Sequence, residues 1–305
     1  MPYPIESKIV IAVSASALFD MSESDEIFRR EGEESYRAWM RGNAQERLEP
    51  GKAFWFVKRF LSLNRGYPEG QGPAEVVLLS RNDPEAGLRV FNSIRQFGLG
   101  IVRAAFLDGR SPHPYISAFG ASLFLSANAE DVKAAVDAGL PAGLIVSGGF
   151  GEDEEGELRV AFDFDGVLAG DEAERVFRSG GDLASFAASE LALADRPLDP
   201  GPLRDFFAKL AALQEERRRR PAGQGPTLRT AIVTARNAPA HERVVTTLRS
   251  WGIFVDEIFF LGGIEKRRIL EVFKPHLYFD DQASNLETAL PAAACVHVPF
   301  GIANT

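Results

Sequence analysis

Four short clusters in this chain carry side chains that could do chemistry together. The first is Asp163-Phe164-Asp165-Gly166-Val167. Two carboxylates spaced i, i+2 are uncomfortable as neighbours unless a cation lies between them or one holds a proton, and the glycine lets the loop bend sharply. An arbitrary pair of this kind is more often a solvated turn, but here Val160-Ala161-Phe162 reads as a buried strand running into it. The second cluster is Asp280-Asp281, again directly behind an apolar run, Leu277-Tyr278-Phe279. Acidic pairs at two strand ends make an oxygen-rich site for a hard cation, and Mg²⁺ suits it. The third, Thr234-Ala235-Arg236-Asn237, offers a hydroxyl and free backbone N–H groups ahead of a helix. That is a cradle for phosphate oxygens, although a Thr so placed is often only an N-cap. The fourth is Lys266, after Gly262-Gly263-Ile264-Glu265, where an ammonium could neutralise a transferring phosphoryl group. Most lysines are solvated instead. Lys274 is its rival, but Pro275 puts it at the far end of the same helix.

A sheet must position these groups. Residues 160–164, 230–233, 255–260, 277–279 and 295–298 are short β-branched or aromatic runs without alternation, as expected of strands covered on both faces. Stretches of helical period lie between them, such as 203–217 and 241–251, the latter stopping at Gly252. The alternation predicts an α/β fold with a parallel, doubly wound sheet, in which ligands bind beyond the carboxyl ends of the strands. Residues 171–220 are too long for a simple crossover and predict a small helical cap, which would exclude water and choose substrates. The arginines at 217–220 close that cap as a solvated helix end. Phe206, Phe207, Trp55 and Phe56 are candidates for stacking on a base, with core packing the commoner use. The four histidines, at 113, 241, 276 and 297, show no metal-ligand spacing.

The chain also repeats itself. Ala12-Val13-Ser14-Ala15-Ser16 falls on Ala161-Phe162-Asp163-Phe164-Asp165, and Leu48-Glu49-Pro50-Gly51 on Leu198-Asp199-Pro200-Gly201. Residues 78–109 fall on 232–263, with Arg89 over Arg243, Gly98 over Gly252 and Phe106 over Phe260. Leu123-Phe124-Leu125 falls on Leu277-Tyr278-Phe279. Four blocks in one order, at an offset drifting only from 149 to 154, predict a tandem duplication. The acidic stretch 152–157 reads as the linker, giving halves at 1–150 and 158–305 with the cap at 171–220 in the second. In the first half Ser14 and Ser16 replace the DxD acids and Ser126-Ala127 the acid pair, while Ser80 still matches Thr234. That half is expected to be metal-free and inactive, serving as structure or supplying ligand contacts through Arg81, Asn82 and Arg110.

Composition narrows the partners. A formal charge of −9 argues against nucleic acid or an anionic membrane as the main partner. Cys295 is the single cysteine, so neither an intrachain disulfide nor a Cys-based zinc site can form. The apolar stretch 9–19 is too short to span a bilayer, and with Glu6 and one Lys8 before it makes a poor secretory leader. A soluble cytoplasmic protein is expected.

The order DxD, Thr, Lys, DD on successive βα units resembles the haloacid dehalogenase superfamily. Together with the repeat, the resemblance implies two tandem Rossmann-type halves. It makes Asp163 the nucleophile, Asp165 the general acid/base, Thr234 the phosphate-binding hydroxyl, Lys266 the neutralising lysine, and Asp280 with Asp281 the metal-binding acids. Ile11-Ala12-Val13-Ser14 through Ala17-Leu18-Phe19-Asp20-Met21 resembles the cytosolic type I 5′-nucleotidase family. So do Leu78-Leu79-Ser80-Arg81-Asn82-Asp83-Pro84-Glu85 and Phe124-Leu125-Ser126-Ala127-Asn128, and the likeness covers nearly the whole chain. It implies Mg²⁺-dependent hydrolysis of nucleoside 5′-monophosphates, AMP typical among them, through an aspartyl-phosphate. Asp163, the main-chain carbonyl of Asp165, Asp280 and Asp281 would hold the metal, and Ala235 and Arg236 would lie against substrate. That family reads closer to DGDAV at the nucleophile loop, where this chain has DFDGV. Its response to nucleoside diphosphates adds a nucleotide effector to the candidate ligands, and a homo-oligomer is left open. The competing readings are a phosphatase for another small phosphomonoester and a nucleotide-binding regulatory protein without turnover.

Overall fold

Each half of the chain builds the same parallel sheet from short buried strands. The computed structural model describes residues 3–148, 156–180, 183–219 and 227–304, and the chain divides into two units, Met1–Asp153 and Glu154–Thr305. The predicted linker falls mostly outside the described residues. In the first unit the strands are β1 (Ile9–Val13), β2 (Ala74–Ser80), β3 (Arg103–Phe106), β4 (Leu123–Ser126) and β5 (Ala142–Ile145). They run parallel in the order β3-β2-β1-β4-β5. The second unit has β6 (Glu157–Phe162), β7 (Thr227–Thr234), β8 (Glu257–Phe260), β9 (Leu277–Asp280) and β10 (Cys295–His297). Their order, β8-β7-β6-β9-β10, is the same sequence of first-to-fifth strands, again all parallel. Every residue of β1 and all but the first of β6 are buried, as unalternated apolar runs require.

The helices follow local chemistry. Asp83 caps the helix Pro84–Gln96 by accepting from the N–H groups of Glu85 and Ala86, with Pro84 at its first position. The helix His241–Ser250 runs out through Trp251 into Gly252 at φ 68°, a left-handed stop that suits glycine. The matching Pro-Gly blocks have a shared cause. Gly51 donates its N–H to Leu18 (2.9 Å) and Gly201 to Leu168 (2.7 Å). A Cβ would lie 2.7 Å from the Phe19 backbone at 51 and 2.5 Å from the Ala169 carbonyl at 201. Two stretches of backbone cross there with no room for a side chain.

The core of the second unit settles the fate of its phenylalanines. Phe162 and Phe279 stack at 4.9 Å, and Phe207 meets Phe162 edge-on at 5.1 Å. Full burial of each such ring is worth roughly 1.5–3 kcal/mol. Phe206 and Phe207 lie on the helix Arg204–Arg218, which packs against β7, so they are core and not base-stacking groups. Within the span expected as a cap, the helix Arg204–Arg218 thus belongs to the core, and the helices Glu172–Gly180 and Leu183–Ala192 precede it. In the first unit Phe56 is buried against Phe60 and Trp55 meets Phe54 edge-on, which is again packing. Arg218 and Arg219 are exposed and pair with Asp256 and Glu215, as a solvated helix end should. No helix among the described residues is long and apolar enough to cross a membrane.

Candidate active site

The site lies where β6, β7 and β9 of the second unit end. Beyond Phe162 the ladder continues for one bond, Asp163 N–H to the Phe279 carbonyl (2.8 Å), which sets Asp163 beside the end of β9. Gly166 then turns at φ 73°, and a Cβ on it would sit 2.4 Å from Asp281 Oδ2. Glycine is needed there twice, for the turn and for the approach of the carboxylate.

Asp163, Asp280 and Asp281 are all buried, and each offers an oxygen within 4.8 Å of the others. Lys266 Nζ lies between two of them, 2.6 Å from Asp163 Oδ2 and 2.7 Å from Asp280 Oδ2. Asp163 Oδ1 also accepts from the Phe164 N–H (2.7 Å). Asp280 takes the Tyr278 hydroxyl on Oδ2, and on Oδ1 the Gln282 N–H (2.9 Å) and Asn285 Nδ2 (3.1 Å). Asp281 differs: neither carboxylate oxygen has a hydrogen-bond partner among the described residues, although both are buried. An orphaned carboxylate carries a desolvation cost that a bound cation would remove.

The charges respond accordingly. Burial pushes the Asp281 carboxyl up to about 9, with Asp163 and Asp280 adding to the rise. Burial raises Asp163 to about 7 despite the opposing Lys266. Burial alone would lower the Lys266 pKa, but Asp163 and Asp280 outweigh it and hold the ammonium charged. Tyr278 is driven well above its ordinary value by burial and by Asp280, so it stays a donor. One ammonium faces three carboxyl groups, and the raised values of Asp163 and Asp281 follow from its inability to offset all three alone. Such a set, all oxygen donors, fits a hard divalent ion.

Asp165 and Arg236 form a separate arm. The Asp165 carboxylate is not part of the three-acid group. It takes a two-pronged contact from Arg236, Nε to Oδ2 at 2.7 Å and Nη2 to Oδ1 at 2.8 Å. Arg236 Nη1 turns the other way, to Glu190 and to the Ala240 carbonyl. Thr234, at the end of β7, is buried and its Oγ1 accepts from the Arg236 N–H (3.2 Å). Ala235 is exposed at the same turn. Arg81 and Asn82 belong to the first unit. There Arg81 grips Asp131 (Nη2–Oδ1 2.6 Å) and Asn82 bonds Ser80 and Tyr36 (Nδ2–Oη 2.7 Å). Both line a cavity of about 450 Å³ at the strand ends of that unit, while Arg110 is exposed.

Sequence reasoning did not single out Glu190, Tyr278 or Asn285 as site residues. Arg243, which holds Glu190 through Nη1 at 2.9 Å, was visible only as an identity in the repeat. A lone acid on a helix, or a Tyr within a strand, carries no signature until the fold brings a partner to it.

A family model described as 5′-nucleotidase matches residues 1–305. Human cytosolic 5′-nucleotidase 1B is 35% identical over 298 residues, covering 94% of this chain and 48% of that protein. The chain thus spans about half the length of that curated relative. Histidinol dehydrogenase from Elizabethkingia anophelis aligns over 78% of this chain and 49% of its own at 13% identity, with a TM-score of 0.22. So low a score supports no inference.

Proposed function

The chain belongs to the 5′-nucleotidase family, and from that membership and the buried acids of the second unit we propose that it hydrolyses nucleoside 5′-monophosphates, AMP-like ones foremost, to nucleoside and phosphate. The observation that carries the reading is the trio Asp163, Asp280 and Asp281, the first two bridged by Lys266, with both Asp281 oxygens lacking a hydrogen-bond partner among the described residues. Those three acids, with the main-chain carbonyl of Asp165, would hold Mg²⁺. Bound there, it would offset the repulsion between carboxylate and anionic phosphate.

The side chains then divide the work. An Asp163 oxygen attacks phosphorus as the bond to the 5′-oxygen breaks, leaving an aspartyl-phosphate and splitting one hard displacement into two easier ones. Asp165 gives a proton to the departing 5′-oxygen. It then takes one from the water that attacks the same phosphorus, releasing phosphate and restoring Asp163. Lys266, Thr234 and the N–H groups after it hold the equatorial oxygens, where charge gathers in the transition state. Helices Glu172–Gly180 and Leu183–Ala192 supply the cap.

The shared strand order supports descent of the two units by tandem duplication, with the first inactive in phosphoryl transfer because serines stand where the acids would be. Its strand-end cavity is the place to test a nucleotide effector. The relative's description as cytosolic supports a cytoplasmic setting. Phosphate release from a panel of nucleoside 5′-monophosphates, with and without Mg²⁺, tests the reading, with Asp163→Asn as control. Equal release by wild type and variant would end it.

A further inference from the structure

Glu190 is the least expected charge in the second unit. It lies on the helix Leu183–Ala192, only 1% exposed, between two arginines that are themselves buried, Arg236 and Arg243. Arg243 gives it Nη1 at 2.9 Å, Arg236 gives it its own Nη1, and Arg243 is fixed in turn by Glu172 (3.0 Å) and the Arg196 carbonyl (2.9 Å). A buried carboxylate of this kind adds little to stability that an apolar side chain of similar size would not. The other half of the chain uses that apolar alternative. Its helix Glu33–Gly42 carries Met40 at the matching position, fully buried.

The match is structural as well as sequential. Arg89 bonds the Glu46 carbonyl through Nε as Arg243 bonds that of Arg196. Leu48 N–H reaches Ser93 as Leu198 N–H reaches Thr247. Asn82 N–H bonds Ser80 as Arg236 N–H bonds Thr234. Within that common frame three positions change together. Asp165, Arg236 and Glu190 in one unit are Ser16, Asn82 and Met40 in the other. Where the acid at 165 is absent, the arginine that grips it and the carboxylate that fixes the arginine are absent too.

We propose that Glu190 and Arg236 are positioning residues for Asp165, a chain of contacts that runs from the helical cap to the acid/base and sets where its carboxyl group points; this rests on the phosphomonoesterase reading above. The guanidinium fork is the reason for arginine. Its Nε and Nη2 meet the two Asp165 oxygens in one plane, and Glu190 on Nη1 stops that plane from rotating. Arg236, expected from sequence to face substrate, has given Nε, Nη1 and Nη2 to protein partners. Because Glu190 sits on a cap helix, placement of the cap and aim of Asp165 are one mechanical unit.

The test compares two substrates with Mg²⁺ present, a nucleoside 5′-monophosphate and p-nitrophenyl phosphate. A nitrophenolate leaves without a proton, whereas a nucleoside 5′-oxygen needs one from Asp165. With Glu190→Gln or Arg236→Lys, kcat/KM for the nucleotide should fall about 10- to 100-fold, while kcat/KM for the aryl ester, which reports transfer to Asp163 and not the later water attack that also uses Asp165, falls less than about threefold. The double variant Glu190→Met/Arg236→Asn copies the pair the first unit tolerates, so it should fold even where a single change does not. It should show the same split between substrates. Equal loss of kcat/KM on both substrates by a variant with wild-type unfolding behaviour, or an undiminished kcat/KM on the nucleotide, would overturn the positioning role. Wild type inert toward every phosphomonoester would instead remove the functional reading and this inference with it.

Discussion

Arg243 and Arg89 occupy the same place in two units of one strand order, and they are treated differently. Arg243 has a partner on every nitrogen: Glu190, Glu172 and a carbonyl. Arg89 keeps its carbonyl bond and lies over Trp39 at 4.5 Å, yet its buried Nη1 has no hydrogen-bond partner among the described residues. The reason is the Met40 that stands where Glu190 would be. The same contrast recurs at the strand ends. One unit gathers three buried acids and a lysine, while the other has Ser14, Ser126 and Ala127 in place of the acids and Pro112, at the same offset of 154, in place of the lysine. The strand order does not need the charges of the candidate site, because the first unit has the same order without them. Buried ions, costly to desolvate, are concentrated in the unit where phosphate chemistry is proposed.

The largest effect that could break this comparison is on turnover. Asp163→Asn should lower nucleotide hydrolysis on the order of 10⁴-fold or more. Ser14→Ala, at the matching place in the first unit, should change it less than about twofold; comparable losses in a phosphate-release assay would mean that the first unit takes part. The next effect is on stability. Arg243→Met takes away one of the two arginines that hold the buried Glu190, together with the bond to the Arg196 carbonyl, and should cost about 3 kcal/mol in urea unfolding. Arg89→Met, by removing an incompletely bonded guanidinium, should cost no more than about 1–2 kcal/mol. Equal costs would show that the acid partners of Arg243 contribute nothing.

Metal binding sharpens the contrast further. Mg²⁺ at about 100 times its Kd should stabilise the protein by about 2.7 kcal/mol. Asp281→Asn should abolish that gain and Ser126→Ala should leave it. The smallest expected effect is on pH dependence without metal. Asp163 and Asp281 have folded values of about 7 and about 9 against an ordinary 3.8. Folded values above unfolded ones mean that the native state binds more protons, so their contribution is complete below about pH 4. It is lost as pH rises through 7 and then 9. Unfolding temperature of the metal-free protein should therefore decline across that window, and Mg²⁺ should counter the decline by displacing those protons. A flat profile in both conditions would contradict the assignment.

Much of this was legible in the residues. Apolar runs without alternation located the strands of the second unit, because a strand buried on two faces has no polar side to show, and the repeat carried that reading onto the first unit. The acids at 163, 165, 280 and 281 were legible because they follow such runs directly. The limits of the cap were not. The helix Arg204–Arg218 buries Phe206, Phe207 and Leu210 on the sheet, yet its sequence has the same period as a helix lying over the site. Nor was the grouping of the acids. Asp165 sits two residues from Asp163, but its side chain leaves the trio for Arg236, a choice set by where Glu190 anchors that arginine. Long-range pairing of this sort leaves no spacing to read.

The most direct measurement is to mix the Mg²⁺-loaded protein with a nucleoside 5′-monophosphate labelled in its phosphate, quench in acid, and map the retained label by peptide. Label on the peptide holding Asp163 in wild type, and none in Asp163→Asn, is the predicted result. Turnover with no protein-bound phosphate, or label on a residue of the first unit, would contradict it.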